Sequence, residues 1–211
     1  MDELFPGIFK VFPSKVTGSK YPSFLVTRSE GNLLFPCFSN SSTIHDHFDD
    51  IAGRGGLDAQ LLGDSHFRTP HCDEVALHFK APLYCSEAEA PDVVNKVRQV
   101  VVFPFRRHEL FPGVEVIPTP GHRPGGVCYL LTAAGKRFLF AGDAIWHDGN
   151  AWKAFPTKAG LKSMGESLKR LEELDFDVLL ANTRLDNPVC FVEVNSRSRR
   201  QFVERIAERL S

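Results

Sequence analysis

His122 and Asp143 are the residues of this sequence whose surroundings best suit chemistry. His122 lies within residues 120–126 (PGHRPGG), where prolines and glycines restrict the turn, and Asp143 follows Gly142 after the apolar stretch 138–141. A rigid turn aims an imidazole outward from a strand end, and a glycine lets the backbone approach closely before the carboxylate. We therefore expect both side chains at neighbouring strand ends, where they can act as ligands in a shared crevice.

Hairpins and short apolar runs are the elements expected to position these residues. Residues 24–27 and 33–35 flank one polar turn and residues 127–131 and 137–140 flank another, so each pair predicts an antiparallel hairpin. The remaining strand-like runs are residues 59–62, 81–84, 114–117 and 178–180. With helices between several of them, the runs predict a layered α/β fold.

Two predicted helices carry apolar stripes that would pack against a sheet. The stripe within residues 158–174 consists of Leu161, Met164, Leu168 and Leu171. The stripe near the C terminus consists of Phe202, Ile206 and Leu210.

The composition suits one compact domain over residues 1–211, with 43% hydrophobic and 24% charged residues. The net charge of −1 gives no electrostatic reason to expect nucleic acid or an anionic membrane as a partner. No apolar run approaches the roughly 20 residues that cross a bilayer, and the acidic N terminus is unlike a secretory signal. Five cysteines without C-x-x-C spacing predict reduced thiols. We expect a cytoplasmic protein that acts on a small molecule, and the sequence leaves its oligomeric state open.

Residues 116–144 resemble the metallo-β-lactamase superfamily, whose later metal-binding motifs are T-P-G-H-T-P-G and G-D. Residues 24–38, 80–84 and 175–180 are similar to the opening hairpin of that family, its G-A-P-V-Y strand and the strand before its last histidine. The resemblance implies an α/β fold of the α+β kind, a four-layer αββα sandwich with the ligands at one edge.

The family's principal motif, H-x-H-x-D-H after a strand, has two candidate positions in this sequence. One contains His45, His47 and Asp49, but an apolar face and the lack of a preceding strand favour an exposed helical turn there. The other lies within residues 61–74, directly after an apolar run. We favour the second position, and the first stays open as an alternative.

Aligned from the right-hand end of residues 61–74, the motif assigns Thr69 and His71 to its two leading histidines. Asp73 then matches the aspartate and Glu74 the final histidine, and His66 is available to replace Thr69. The last histidine of the family is absent, because no histidine follows His147. Both departures fall on the second metal position, so the resemblance implies a mononuclear site.

The resemblance implies one divalent ion, either zinc, iron or manganese. Its expected ligands are His66, His71, Asp73, His122 and Asp143. Asp73 or Glu74 is expected to orient or deprotonate a catalytic water. The implied activity is metal-dependent hydrolysis of an ester, thioester or amide, and Arg123 favours an anionic substrate. The alternative is a metal-free, non-catalytic relative that serves as a ligand-binding or interaction module.

Overall fold

The computed structural model describes residues 1–14, 21–39 and 43–210. The chain divides into two compact units: unit 1 comprises Met1–Phe103 with Arg184–Asp186, and unit 2 comprises Pro104–Thr183 with Asn187–Ser211. The expectation of a single domain over residues 1–211 stays a prediction.

Unit 1 is built on a seven-stranded sheet whose strands follow one another in chain order. The strands are β1 (Asp2–Phe5), β2 (Ile8–Val11), β3 (Ser23–Val26), β4 (Leu33–Phe35), β5 (Ala59–Leu61), β6 (Leu83–Ser86) and β7 (Val100–Phe103). Strands β1 to β4 pair antiparallel, and the pairs from β4 to β7 are parallel. The helices are α1 (Phe48–Gly53), α2 (His71–Phe79) and α3 (Ala90–Val93), with short 3-10 helices at His45–His47 and Ser65–Phe67.

Parallel pairing in unit 1 requires crossover segments, and these supply its helices. Ile51 of α1 and Val75 of α2 are both 0–1% exposed and belong to one apolar cluster with Leu34 and Leu83 of the sheet. The crossover from β5 to β6 begins at the C-terminal end of β5, continues through the loop of residues 62–70 and then forms α2.

Unit 2 contains a six-stranded sheet of order β15-β14-β11-β10-β9-β8. The strands are β8 (His108–Phe111), β9 (Val114–Pro118), β10 (Val127–Ala133), β11 (Lys136–Phe140), β14 (Val178–Leu180) and β15 (Phe191–Glu193). A separate two-stranded hairpin is formed by β12 (Ile145–His147) and β13 (Trp152–Ala154). The helices are α4 (Leu161–Glu172) and α5 (Ser198–Ala207), and a 3-10 turn, Glu208–Leu210, follows α5.

Both predicted hairpins are confirmed. Strands β3 and β4 pair antiparallel, with Leu25 opposite Leu34, and β10 and β11 pair antiparallel, with Leu130 opposite Leu139. In each hairpin a polar turn joins the two strands, and the paired apolar side chains are buried, which fixes the register of the strands.

Both predicted helices are also confirmed, with two differences. Helix α5 ends at Ala207, so Leu210 of its predicted stripe lies in the 3-10 turn that follows. Met164, Leu168 and Leu171 are fully buried on α4, whereas Leu161, predicted on the same stripe, is 47% exposed at the first residue of the helix. Leu161 lies in the first turn of α4, at the end of the helix, where its side chain is not covered by the apolar core.

All five cysteines are free, as predicted, and all are buried. Among the described residues, the structure contains no helix that is both long and apolar enough to span a bilayer.

Candidate metal centre

Asp64 and His66 lie together where the chain leaves β5. Asp64 caps the short 3-10 helix Ser65–Phe67, and its Oδ1 accepts a hydrogen bond of 2.8 Å from the backbone N of His66. The same oxygen lies 3.5 Å from His66 Nδ1. Aspartate is favoured at this position because its carboxylate satisfies a helix N–H that has no partner within the helix.

Neighbouring polar groups hold the loop that carries Asp64 and His66. The buried carboxylate of Glu89 accepts a 2.9 Å hydrogen bond from the backbone N of Ser65. Arg68 donates from Nε to the backbone O of Asp92 at 3.0 Å and from its guanidinium to the backbone O of Ser65. These interactions fix the loop against the start of α3.

In unit 2, close packing against α4 sets the position of His122. Gly121 has φ of +147°, and a methyl group added there would lie 2.6 Å from Met164 Cβ. Ser167 of α4 donates a 2.8 Å hydrogen bond to the backbone O of Pro120. The turn lies so close to α4 that only a glycine fits at position 121, which explains why a glycine precedes His122.

One hydrogen bond defines the tautomer of His122. Its Nδ1 lies 2.6 Å from the backbone O of Phe155, and a carbonyl can only accept, so the neutral ring carries its proton on Nδ1. Nε2 is then the basic nitrogen, and it lies 3.6 Å from Asp143 Oδ2. A metal-binding histidine typically donates its other N–H to a carbonyl or carboxylate, and His122 has that arrangement.

Asp143 follows β11 through a tight turn. Gly142 has φ of +53°, and the backbone N of Ala141 extends the pairing of β11 with β14 by donating to Leu180 O at 2.8 Å. Asn182 donates its Nδ2 to Asp143 Oδ1 at 3.2 Å. The amide therefore orients the carboxylate.

His71, Asp73 and Glu74 lie in the first turns of α2. Each of them interacts with residues other than the four side chains described above. His71 Nδ1 and His45 Nε2 lie 2.8 Å and 2.9 Å from the same oxygen, Glu74 Oε2. Asp73 accepts hydrogen bonds from the backbone N of Arg98 at 2.9 Å and 3.0 Å, and from that of Gln99 at 3.0 Å. These interactions engage both carboxylates, and the metal-binding and catalytic roles expected of the three residues stay predictions.

The alternative motif position forms the helical turn that the sequence favoured. His45 and His47 lie in a 3-10 helix that runs into α1, and no described strand directly precedes it. Arg184, near the expected place of the last family histidine, pairs with Asp186 at 2.7 Å on the surface of unit 1.

The family model of the metallo-beta-lactamase superfamily matches residues 46–183, well over half of the chain. The chain belongs to the metallo-β-lactamase superfamily. No curated protein matches the sequence.

Solved structures of the same superfamily cover nearly the whole chain. A Cronobacter sakazakii metallo-beta-lactamase described by its HARLDQ motif has a TM-score of 0.68 at 17% identity, covering 99% of this chain and 94% of that one. MEM-A1, a subclass B3 enzyme from a soil metagenome library, has a TM-score of 0.67 at 17% identity, with coverage of 97% and 91%. A family protein of Thermus thermophilus has a TM-score of 0.67 at 17% identity, with coverage of 98% and 80%. The expected metallo-β-lactamase fold is confirmed.

The end of β5 also permits a second register for the principal motif, beside the expected one, which stays a prediction. Counted from the first acidic or histidine residue after the strand, H-x-H-x-D-H falls on residues 64–69 (DSHFRT). Asp64 then takes the first histidine position and His66 the second, while Arg68 and Thr69 replace the aspartate and the final histidine. Asp64 was not among the expected ligands, because the motif begins with a histidine. The G-D-x-H spacing of residues 63–66 after the apolar run was the available signal.

Proposed function

We propose that this protein is a metal-dependent hydrolase that binds one divalent ion through Asp64, His66, His122 and Asp143. Superfamily membership and the two His–Asp pairs support a metallo-hydrolase-like protein. The proposed site takes one ligand atom from each member of these two pairs, one pair in each unit. The two pairs, each a histidine beside an aspartate, are the observation on which the proposal depends.

The donor set suits such an ion. Two imidazoles and two carboxylates are ligands that zinc, iron and manganese accept, and the chemistry does not choose among these metals. The Nδ1 hydrogen bond of His122 leaves Nε2 as its coordinating atom, and the amide of Asn182 holds Asp143.

The residues at the second metal position support a mononuclear site. Arg68 stands where the motif has its aspartate, and its guanidinium is engaged by backbone oxygens of Ser65 and Asp92. Thr69, at the final histidine position, has a buried hydroxyl with no hydrogen-bond partner among the described residues. Neither side chain is a ligand of the usual kind, and no histidine follows His147.

A bound divalent ion supplies activation of water and stabilisation of negative charge on a carbonyl oxygen. The chain supplies fixed ligands: the Phe155 carbonyl holds the His122 ring, and the Asp64 carboxylate caps the loop that presents His66. We propose an ester, thioester or amide of a small molecule as substrate, with Arg123 favouring an anionic one.

Hydrolysis of an ester, a thioester and an amide probe by the protein as purified tests this function. We expect turnover of at least one probe, loss of turnover after chelation, and recovery when zinc, iron or manganese is restored. His66→Ala should lose activity while His78→Ala, on the exposed side of α2, should keep it. Metal-free protein that hydrolyses none of the probes, before or after metal addition, would support the non-catalytic alternative instead.

A further inference from the structure

A cavity in unit 2 lies between the β12–β13 hairpin and α5, and none of the proposed metal ligands lines it. Its volume is about 300 Å³, at the lower end of the roughly 300–1,000 Å³ usual for small-molecule sites. The residues that matter for its chemistry are His147, Trp152, Phe202, Arg205, Ile206 and Arg209. Aromatic and aliphatic side chains thus share one cleft with two cations.

Both cleft arginines donate to backbone oxygens. Arg205 donates from Nε to the backbone O of Gln201 at 3.2 Å, and Arg209 donates from Nη1 to the backbone O of Trp152 at 2.9 Å. Over residues 1–14, 21–39 and 43–210, neither guanidinium forms a salt bridge. Each therefore keeps N–H donors that can bind an anion, because a guanidinium has five.

Other arginines of α5 behave differently. Arg199 pairs with Asp175, and Arg200 pairs with Glu204 at 2.9 Å. Salt bridges thus neutralise these two arginines away from the cleft. Within the described part of the chain, Arg205 of α5 and Arg209 of the following 3-10 turn have no counter-charge.

His147 also lines the cleft, and its ring is held in place by hydrogen bonds. The backbone N of Gly149 and Nδ2 of Asn187 both donate to its Nδ1 at 3.2 Å, so Nδ1 accepts and the proton is on Nε2. The ring is 8% exposed and lies edge-on to Trp152, with ring centroids 5.2 Å apart. Its position is fixed before any ligand arrives.

We infer that this cleft binds a small organic anion, in which a phosphate or carboxylate group is attached to a ring-sized apolar body. Arg205 and Arg209 bind the charged group, since planar guanidinium groups match both anions. Trp152 and Phe202 contact the apolar body. The site goes beyond the proposed hydrolase function, because it uses none of the proposed metal ligands.

The two tryptophans of the chain allow a direct test. In the 15N-labelled full-length protein, the indole N–H signals are assigned with Trp152→Phe, and phenyl phosphate, phenylacetate, inorganic phosphate and benzyl alcohol are titrated separately. We expect a saturable shift of the Trp152 signal with phenyl phosphate or phenylacetate, and the tighter of the two identifies the charged group. Inorganic phosphate and benzyl alcohol should each bind at least about tenfold more weakly, because each lacks half of the recognised ligand.

The matched variants are Arg205→Gln with Arg209→Gln, and Arg200→Gln as a control on the same helix. The double variant should weaken binding at least about tenfold, and the control should stay within about twofold. No saturable Trp152 shift with either organic anion, equal binding of benzyl alcohol or inorganic phosphate, or unchanged affinity in the double variant would each overturn the inference. The comparison of charged and neutral ligands on the unmodified protein does not depend on the variants folding.

Discussion

At the scale of single residues, the orientation of Asp143 depends on one amide. Asn182 donates to Asp143 Oδ1 at 3.2 Å, which leaves Oδ2 on the side of His122 Nε2. A hydrogen bond of this kind orients a ligand and raises its affinity for a metal.

Asn182→Ala should therefore weaken metal binding about 10–100-fold without unfolding the protein. Titration against a competing chelator measures the affinity, and Asn95→Ala in unit 1, an exposed amide bonded to Pro91 O, is the control. An affinity equal to that of the unmodified protein would show that the Asn182 amide does not act on the site.

The cysteine thiols give a second prediction at this scale. Burial raises the pKa of Cys72, Cys85 and Cys128 to about 12, and Cys37 and Cys190 are each 2% exposed. Since the thiolate is the reactive form, none of the five should react with a disulfide reagent at pH 8 within minutes. All five should react after denaturation in guanidinium, and prompt reaction of any thiol in the native protein would contradict the structure.

At the scale of elements, helix α4 supports the turn that carries His122. Gly121 approaches Met164 so closely that no side chain fits, and Ser167 bonds the Pro120 carbonyl. The helix is therefore part of what fixes the imidazole, although it contributes no proposed ligand.

Gly121→Ala should lower the free energy of unfolding by at least about 2 kcal/mol, because it combines a positive φ with a steric clash. Its metal affinity should also fall. Gly165→Ala, inside α4 with nothing within 4 Å of the added carbon, should instead stabilise the protein by about 0.5–1 kcal/mol. Denaturant unfolding and metal titration measure both effects; equal stability of the two variants would refute this role of α4.

The carboxylate of Asp73 links helix α2 to the segment that leads into β7. It joins α2 to the start of β7 by accepting hydrogen bonds from the backbone N of Arg98 and Gln99. We expect Asp73→Ala to cost about 1–3 kcal/mol of stability, measured by denaturant unfolding, because both N–H groups lose their acceptor. A variant as stable as the unmodified protein would show that this link carries no stability.

At the scale of the whole molecule, the proposed ion should stabilise the folded chain. A ligand that binds only the native state adds about 2.7 kcal/mol at a free concentration 100 times its dissociation constant. Thermal unfolding with and without added zinc or manganese should show this gain, and His122→Ala should abolish it. A gain of the same size in His122→Ala would place the ion elsewhere.

Local sequence pattern was enough to predict most of the fold. The hairpins β3–β4 and β10–β11 and the stripe of α4 follow from apolar spacing, and the P-G-H and G-D motifs predicted the positions of His122 and Asp143. The loop after β5 was harder, because its register depends on where the strand ends and on which acidic residue caps the next turn. In sequence, Asp64 has the properties of a helix cap as well as the G-D-x-H spacing, and its place 3.5 Å from His66 Nδ1 depends on how the loop folds.

The metal content of three purified proteins tests the central claim most directly. The unmodified protein, Asp64→Ala and Asp73→Ala are purified without chelator and analysed for zinc, iron and manganese. We predict about one ion per chain in the unmodified protein and in Asp73→Ala, and less than about a tenth of an ion in Asp64→Ala. An ion that survives in Asp64→Ala but is lost in Asp73→Ala would contradict the proposed ligand set.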